Sequence, residues 1–374
     1  MSRRLRSLVR RLLPAALLTS LLAACGNLGY YAQAARGHLA VMQAAVPIEA
    51  LLDDPAGDPG LKAKLAEVRA IRDFASRELG LPDNGSYRSY ADLGRPYVVW
   101  NVFATREFSL QLERWCLPFV GCVGYRGYYD RDEAANFAGA LRAAGYDTHV
   151  GGVVAYSTLG HFADPVLNTF LRLGPLEVAR IVFHELAHQL VFVPGDTPFN
   201  ESFATAVEEA GMRRWLAQRA SSEQAAAFAA QRARQAAVGA LLEDYRARLR
   251  ELYASADDEH RRRQDKAALF AALRRDYAEL KAGWGAYAGG DAFFGDDLNN
   301  ARLASLSLYQ DLVPAFEVLL AEQDFDLPRF YERVAGLAAL GHEARHDALR
   351  QILAGSSTRT VDAARQNFRP HRAN

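Results

Sequence analysis

The period of hydrophobic and polar positions changes several times along this chain, and each change marks an element. Over residues 30–80, helical spacing alternates with Pro, Gly and Asp punctuation, densest at Asp53-Asp54-Pro55-Ala56-Gly57-Asp58-Pro59-Gly60. Residues 97–109 are rich in Val, Phe and Trp and predict a strand. Asp130 caps a helix that ends near Gly145, and residues 149–156 predict a second strand. Residues 179–192 read Ala-Arg-Ile-Val-Phe-His-Glu-Leu-Ala-His-Gln-Leu-Val-Phe, a helix apolar nearly all round and therefore buried. It stops at Val193-Pro194-Gly195. A second helix restarts at Asp196-Thr197-Pro198, with Thr197 as N-cap and Pro198 in the first turn, and can fold back antiparallel on the first. Residues 202–284 are helical almost throughout, and the mixed charge of 243–266 predicts a solvated helical face or hairpin. A Gly-rich loop at 288–297 precedes a helix over 299–320, and the remainder is helical with a polar tail.

The N-terminus departs from this pattern. Arg3, Arg4, Arg6, Arg10 and Arg11 precede an apolar run over 12–24, too short for a stable span, which predicts a signal peptide. It ends in Leu22-Ala23-Ala24-Cys25, which resembles a bacterial lipobox; Cys25 would become the lipidated first residue of the mature protein. The alternative is an ordinary secretory peptide cleaved beside an incidental Cys. Gly26, rather than Asp, favours the outer membrane by analogy with other lipoproteins. Acyl chains, at about 0.8 kcal/mol per buried methylene, would hold the protein to a leaflet.

Composition then narrows the classes. The chain carries 44 basic and 44 acidic residues, and removal of the five N-terminal arginines leaves 39 against 44. A mildly acidic exported protein is not a nucleic-acid binder by charge. About 350 mature residues suffice for a substantial core, in one large or two closely packed domains. In an oxidising compartment, Cys116 and Cys122, separated by Leu-Pro-Phe-Val-Gly, read as a local disulfide, with two buried thiols as the alternative.

The buried helix carries the candidate chemistry. His184 and His188 stand at i and i+4 on one face, close enough for both imidazoles to hold one metal ion. Glu185 is rotated by about 100° from His184, so it can reach an activated water without being a ligand. Glu201, near the start of the second helix, offers the carboxylate that completes a His2Glu set with an open position. Two histidines and a glutamate in an apolar helix are costly to bury without partners, and a metal supplies the partner; the alternative is a satisfied core His pair with a capping Glu. Glu208, two turns beyond Glu201, is placed to steady a ligand histidine or to stand as an exposed charge. A second match to the same pattern, His342-Glu343-Ala344-Arg345-His346, has no Glu after it and reads as a chance match on a solvated helix.

His184-Glu185-x-x-His188 followed by Asn200-Glu201-x-Phe203-Ala204 resembles the gluzincin metallopeptidases, especially the aminopeptidase N type with its Asn-Glu-Gly-Phe-Ala block. From Cys25-Gly26-Asn27-Leu28-Gly29-Tyr30-Tyr31 to Leu298-Asn299-Asn300-Ala301-Arg302-Leu303, the chain resembles a bacterial family of predicted lipoprotein aminopeptidases. The gap between His188 and Glu201 is shorter than in aminopeptidase N, Ser202 stands for Gly, and the Gly-x-Met-Glu-Asn segment that binds a free amine is missing. The resemblance implies an α+β fold with a zincin-like core, one zinc ion and peptide or protein substrates. It also implies substrate pairing at an edge strand, which assigns Val153, Tyr156 and Ser157 to substrate binding, with an interior strand as the alternative. An oxyanion donor from downstream is implied as well, for which Tyr309 is the candidate; its other reading is a core tyrosine.

These expectations divide the chain into a signal peptide (1–24), an N-terminal tether and helical segment (25–95), a metallopeptidase core (96–215) and a helical C-terminal part (216–374). The functional expectation is a zinc peptidase, first an aminopeptidase, lipid-anchored in the bacterial cell envelope at the outer membrane and facing the periplasm. The rivals are an envelope endopeptidase and a non-catalytic assembly or chaperone-like lipoprotein with a structural or vestigial zinc site.

Overall fold

The computed structural model describes residues 28–117, 121–219, 221–285, 290–306 and 312–355. Cys25, the signal peptide and Tyr309 lie outside the described residues. In chain order the elements are helix α1 (28–43), β1 (Ala45–Pro47), α2 (Ile48–Asp53), α3 (Pro59–Leu79), β2 (Ser89–Ala91), β3 (Val99–Arg106), β4 (Trp115–Leu117), β5 (Gly121–Val123) and β6 (Arg126–Tyr128). Then follow α4 (Arg131–Ala143), β7 (Tyr146–Val153), β8 (Val166–Leu167), α5 (Asn168–Leu171), α6 (Pro175–Ala187) and α7 (Thr197–Arg219). The C-terminal elements are α8 (Ser222–Ala254), α9 (Glu259–Ala282), α10 (Asn300–Ser305), α11 (Val313–Ala321), α12 (Leu327–Ala338) and α13 (His342–Gly355). Helix dominates, and the strands form small sheets.

The principal sheet is antiparallel in the order β6-β3-β7, with Val99 opposite Val153 and Val102 opposite Val150. Helix α4, capped by Asp130 through the N–H groups of Asp132 and Glu133, seats Ala134 and Ala138 against Val102 and Tyr128. Small residues there let helix and sheet approach closely. Strands β1 and β2 pair antiparallel and β2 and β8 parallel, while β4 and β5 form a separate hairpin closed by the Cys116–Cys122 disulfide.

The main core draws on both ends of the chain, from Val41 to Leu349, and is built around α6 and α7. Phe183 of α6 is fully buried, and Gly211 of α7 lies directly over its ring; a Cβ at Gly211 would collide with Phe183 and Leu79. That close approach brings the facing sides of α6 and α7 together. Around Phe183, Phe74 and Trp215 meet edge to face with ring centres 5.0 Å apart. A second, smaller core lies in the α8–α9 hairpin, where Leu249, Phe270 and Leu273 pack with Phe294 and Leu303. The charged stretch at 243–266 spans the turn of this hairpin, and Lys266 reaches Asp147 at the start of β7 (2.7 Å).

Four local readings of the sequence are corrected. The predicted 179–192 helix ends at Ala187, because Gln189 and Leu190 donate to the carbonyls of Leu186 and Ala187 and tighten the last turn. The predicted 149–156 strand is shifted: it starts at Tyr146, directly after Gly145 (φ 87°), and ends at Val153, so Tyr156 and Ser157 lie in the following loop. Asp196 rather than Thr197 caps α7, accepting from Phe199 N at 3.3 Å. The predicted 299–320 helix is broken into α10 and α11, with Pro314 in the first turn of α11.

The helix with the second His-Glu-x-x-His match is also less solvated than expected. His342, Glu343 and Ala344 are exposed, but Arg345 is buried and grips Asp196 Oδ2 (2.7 Å), and His346 Nε2 lies 3.0 Å from the same carboxylate. These contacts fasten α13 to the loop between α6 and α7.

Candidate metal centre and active site

Helix α6 begins at Pro175 behind Gly174 and presents Arg180, His184 and His188 one turn apart on the face toward α7. Helix α7 answers with Glu201 and Glu208. His184 Nε2 lies 3.2 Å from Glu201 Oε2, and His188 Nε2 lies 3.8 Å from Glu201 Oε1. The donor atoms of His184, His188 and Glu201 all fall within 4.8 Å of one another. Ligands about 2.0–2.2 Å from one tetrahedral ion stand roughly 3.3–3.6 Å apart, so the spacing fits a shared metal. The structure thus brings the three predicted ligands together.

Glu208 stands behind them. Its Oε2 lies 3.2 Å from His184 Nδ1 and its Oε1 accepts from Arg180 Nε at 2.6 Å, while Arg180 also donates to Glu177 (2.8 Å). Glu177 in turn accepts from Gln231 of α8 (2.9 Å). This chain fixes the ring of His184 so that Nε2 faces Glu201. Among the described residues His188 has no such partner: its Nδ1 is buried without a hydrogen bond. Asn200, next to Glu201, exchanges two hydrogen bonds of 2.8 Å with the backbone of Val193 and so ties the start of α7 to the end of α6.

The electrostatics follow from burial and neighbours. Burial disfavours a charged His184, but the carboxylates of Glu201 and Glu208 outweigh it and hold its pKa well above the usual imidazole value. Burial takes His188 down to about 4, so that ring is neutral and free to ligate. For Glu201, burial is outweighed by the flanking imidazoles of His188 and His184, and its pKa is lowered. Glu208 is lowered for the same kind of reason, through His184 and Arg180. Glu185 is the exception. Burial, with help from Glu201, Asp164 and Glu208 and against the pull of His184, pushes it up to about 7. Arg180 and Arg232 balance Glu177 and Glu208, which leaves the Glu201 carboxylate facing the two histidines and suits a divalent ion between them. The residues fit a metal on spacing and donor type, and with the His184 pKa raised, metal binding would displace a proton from that ring.

A cavity of roughly 470 Å³ opens over this centre, within the range of small-ligand and peptide pockets. Its floor is His184, Glu185, His188 and Glu201, and its walls are largely aromatic: Tyr30 from α1, Tyr125 and Tyr129 flanking β6, Tyr156 after β7, and Phe192. Val153 and Ser157 line it too, so all three predicted substrate contacts reach the cavity, although Tyr156 and Ser157 do so from a loop.

Tyr125 was missed by the sequence reading. It lies between β5 and β6, its ring 5.9 Å from Phe103. Burial and the nearby carboxylates of Glu201 and Glu185 raise its pKa, so it carries its proton. Its only sequence signal is the Gly124-Tyr125 step after the disulfide hairpin, which does not reveal what it faces. Arg114 clamps that hairpin to the α6–α7 loop by donating to Cys122 O (2.8 Å) and Gly195 O (3.0 Å). Asp196, His342 and His346 form a second group able to approach one ion. There the Arg345 guanidinium already occupies the carboxylate.

A family model described as "Putative aminopeptidase" matches residues 29–349. No curated protein and no solved structure matches the chain.

Proposed function

The chain belongs to this family of putative aminopeptidases, and from that membership we propose that it is a zinc-dependent aminopeptidase with a zincin-like core, anchored in the bacterial cell envelope through Cys25. The observation that carries the reading is the convergence of His184, His188 and Glu201 beneath a cavity in which Glu185 is held near neutrality.

His184, His188 and Glu201 would hold the zinc at the floor of the cavity they line. When bound, zinc supplies a Lewis acid that polarises the scissile carbonyl and acidifies water. With its pKa near 7, Glu185 is matched to taking a proton from the attacking water and delivering it to the departing amine. Tyr125, which lines the cavity, supplies the hydroxyl that donates to the developing oxyanion. Glu208 and Arg180 keep His184 in one orientation and one tautomer. Loop residues Tyr156 and Ser157 and the end of β7 at Val153 line the path of an extended peptide.

The envelope assignment rests on the lipobox-like Leu22-Ala23-Ala24-Cys25 behind a basic, apolar leader. No described helix is long and apolar enough to cross a membrane. The endopeptidase reading draws on a separate observation: among the described residues lining the cavity, Glu185 and Glu201 are the only carboxylates, so none is left to receive a free ammonium group.

A peptide library, half with free and half with acetylated N-termini, separates the two by mass spectrometry. Loss of single residues from free N-termini alone supports the aminopeptidase. Internal cuts in both halves establish the endopeptidase, and no cleavage by zinc-loaded protein refutes both.

A further inference from the structure

Helix α1 is apolar on two opposite faces, and among the described residues only one of them is covered. On the inner face Val41 is buried, Gln33 exchanges hydrogen bonds with Gly127 O (3.3 Å) and Tyr129 N (3.1 Å), and Tyr30 and Ala34 line the catalytic cavity. Gly37 lies flat on Tyr129, where any Cβ would collide with the ring. The outer face carries Leu28, Tyr31, Ala32, Ala35 and Leu39, which at 100° per residue form a stripe about 100° wide.

Leu28, Tyr31 and Leu39 are 69, 40 and 55 % exposed. Phe162, 52 % exposed, extends the patch through His38, its ring centre 4.6 Å from that imidazole. Four of the ten large hydrophobics exposed among the described residues therefore gather at this one place. The only charged residue of the helix is Arg36, at the edge of the stripe. An apolar stripe with a basic flank has the character of an interfacial helix facing anionic headgroups.

The occupant follows from where the chain comes from. Two residues, Gly26 and Asn27, separate Leu28 from Cys25, three backbone steps with a reach of at most about 11 Å. A lipidated Cys25 thus brings the N-terminal end of α1 to the bilayer whatever path the intervening residues take, and the apolar outer face is the side of the helix suited to lie against it. We propose that Leu28, Tyr31, Ala35, Leu39 and Phe162 rest in the interfacial layer of an anionic phospholipid membrane, which places the Tyr30–Ala34 wall of the cavity at the bilayer surface. The site then acts on peptides presented at that surface. This inference rests on the lipid-anchor reading and is independent of the metal.

The test uses the full lipidated protein in vesicles of phosphatidylethanolamine and phosphatidylglycerol. With Cys116 and Cys122 bonded and Cys25 acylated, Tyr31→Cys, Ala35→Cys, Leu39→Cys and, on the exposed side of α13, Leu353→Cys each offer one thiol for a spin label. Labels at 31, 35 and 39 should collide preferentially with oxygen, and the label at 353 with an aqueous nickel chelate. Leu39→Glu should lower cleavage of a vesicle-tethered peptide about tenfold while leaving cleavage of a free peptide unchanged. If the protein floats with the vesicles but all labels are aqueous, the inference fails and the anchor stands. If it does not float, both fail. Dipolar broadening between labels would assign the face to a second copy, and shielding from both reagents to another protein surface; either overturns the proposal.

Discussion

Replacing Glu208 by Gln isolates the support behind the metal site. Glu208 is only 5 % exposed and joins His184 Nδ1 to Arg180 Nε. Gln preserves its volume and one acceptor oxygen, so His184 can keep a partner, but one negative charge leaves the site. Losing such support behind a metal ligand typically weakens metal binding about 10- to 100-fold, or about 1.4–2.7 kcal/mol. Arg180 still pairs with Glu177 at 2.8 Å. The folding penalty should therefore fall below the about 3–5 kcal/mol expected when a buried charge loses its whole partner. Competition with a chromophoric zinc chelator measures the affinity, and urea unfolding measures the stability. With zinc saturating, kcat should change little, because Glu208 does not line the cavity and is the smallest of the named contributors to the Glu185 shift. A zinc affinity within twofold of the parent would refute the assignment of Glu208 as the group that orients His184.

Tyr125→Phe should lower kcat about 100-fold, the scale of removing one oxyanion donor, with KM and zinc content unchanged; a loss confined to KM would reassign Tyr125 to substrate packing. Asp196→Asn removes the carboxylate that Arg345, His346 and Phe199 N share, and should cost about 3 kcal/mol or more in urea unfolding. Burial raises Asp164 to about 6 against the hydrogen bonds from Thr158. Because this folded pKa lies above the usual carboxylate value, the stability it contributes is fully present below about pH 4 and lost as pH rises through about 6. Asp164→Asn should therefore gain melting temperature relative to the parent at pH 7.5 but not at pH 4, and equal differences at both would contradict the shift.

The contrast between what the sequence disclosed and what it concealed is one of range. His184 and His188 share a face through the period of a single helix, and Glu201 and Glu208 follow from one short reversal. Asp130 as a cap and the helical character of the 202–284 stretch are equally local. Tyr125 is remote from the His184 helix in sequence and reaches the cavity only because the hairpin is clamped to the α6–α7 loop. Arg345 and His346 meet Asp196 across about 150 residues, and nothing in their charged surroundings marks the contact. Asn299 and Asn300, inside the Leu-Asn-Asn-Ala-Arg-Leu block, turn out to fasten α10 to the sheet through Thr148 O (3.0 Å) and Glu107 O (2.8 Å). Element ends were misread where side-chain caps and tightened turns, rather than periodicity, decide them.

The most direct test of the account is Glu185→Gln, with zinc content by elemental mass spectrometry and peptide hydrolysis measured on the same preparation. Zinc should remain at one per chain while hydrolysis falls about 10²–10⁴-fold, the range of a lost general base. Full activity in that variant, or zinc lost along with it, would contradict the separation of ligand and base on which the mechanism stands.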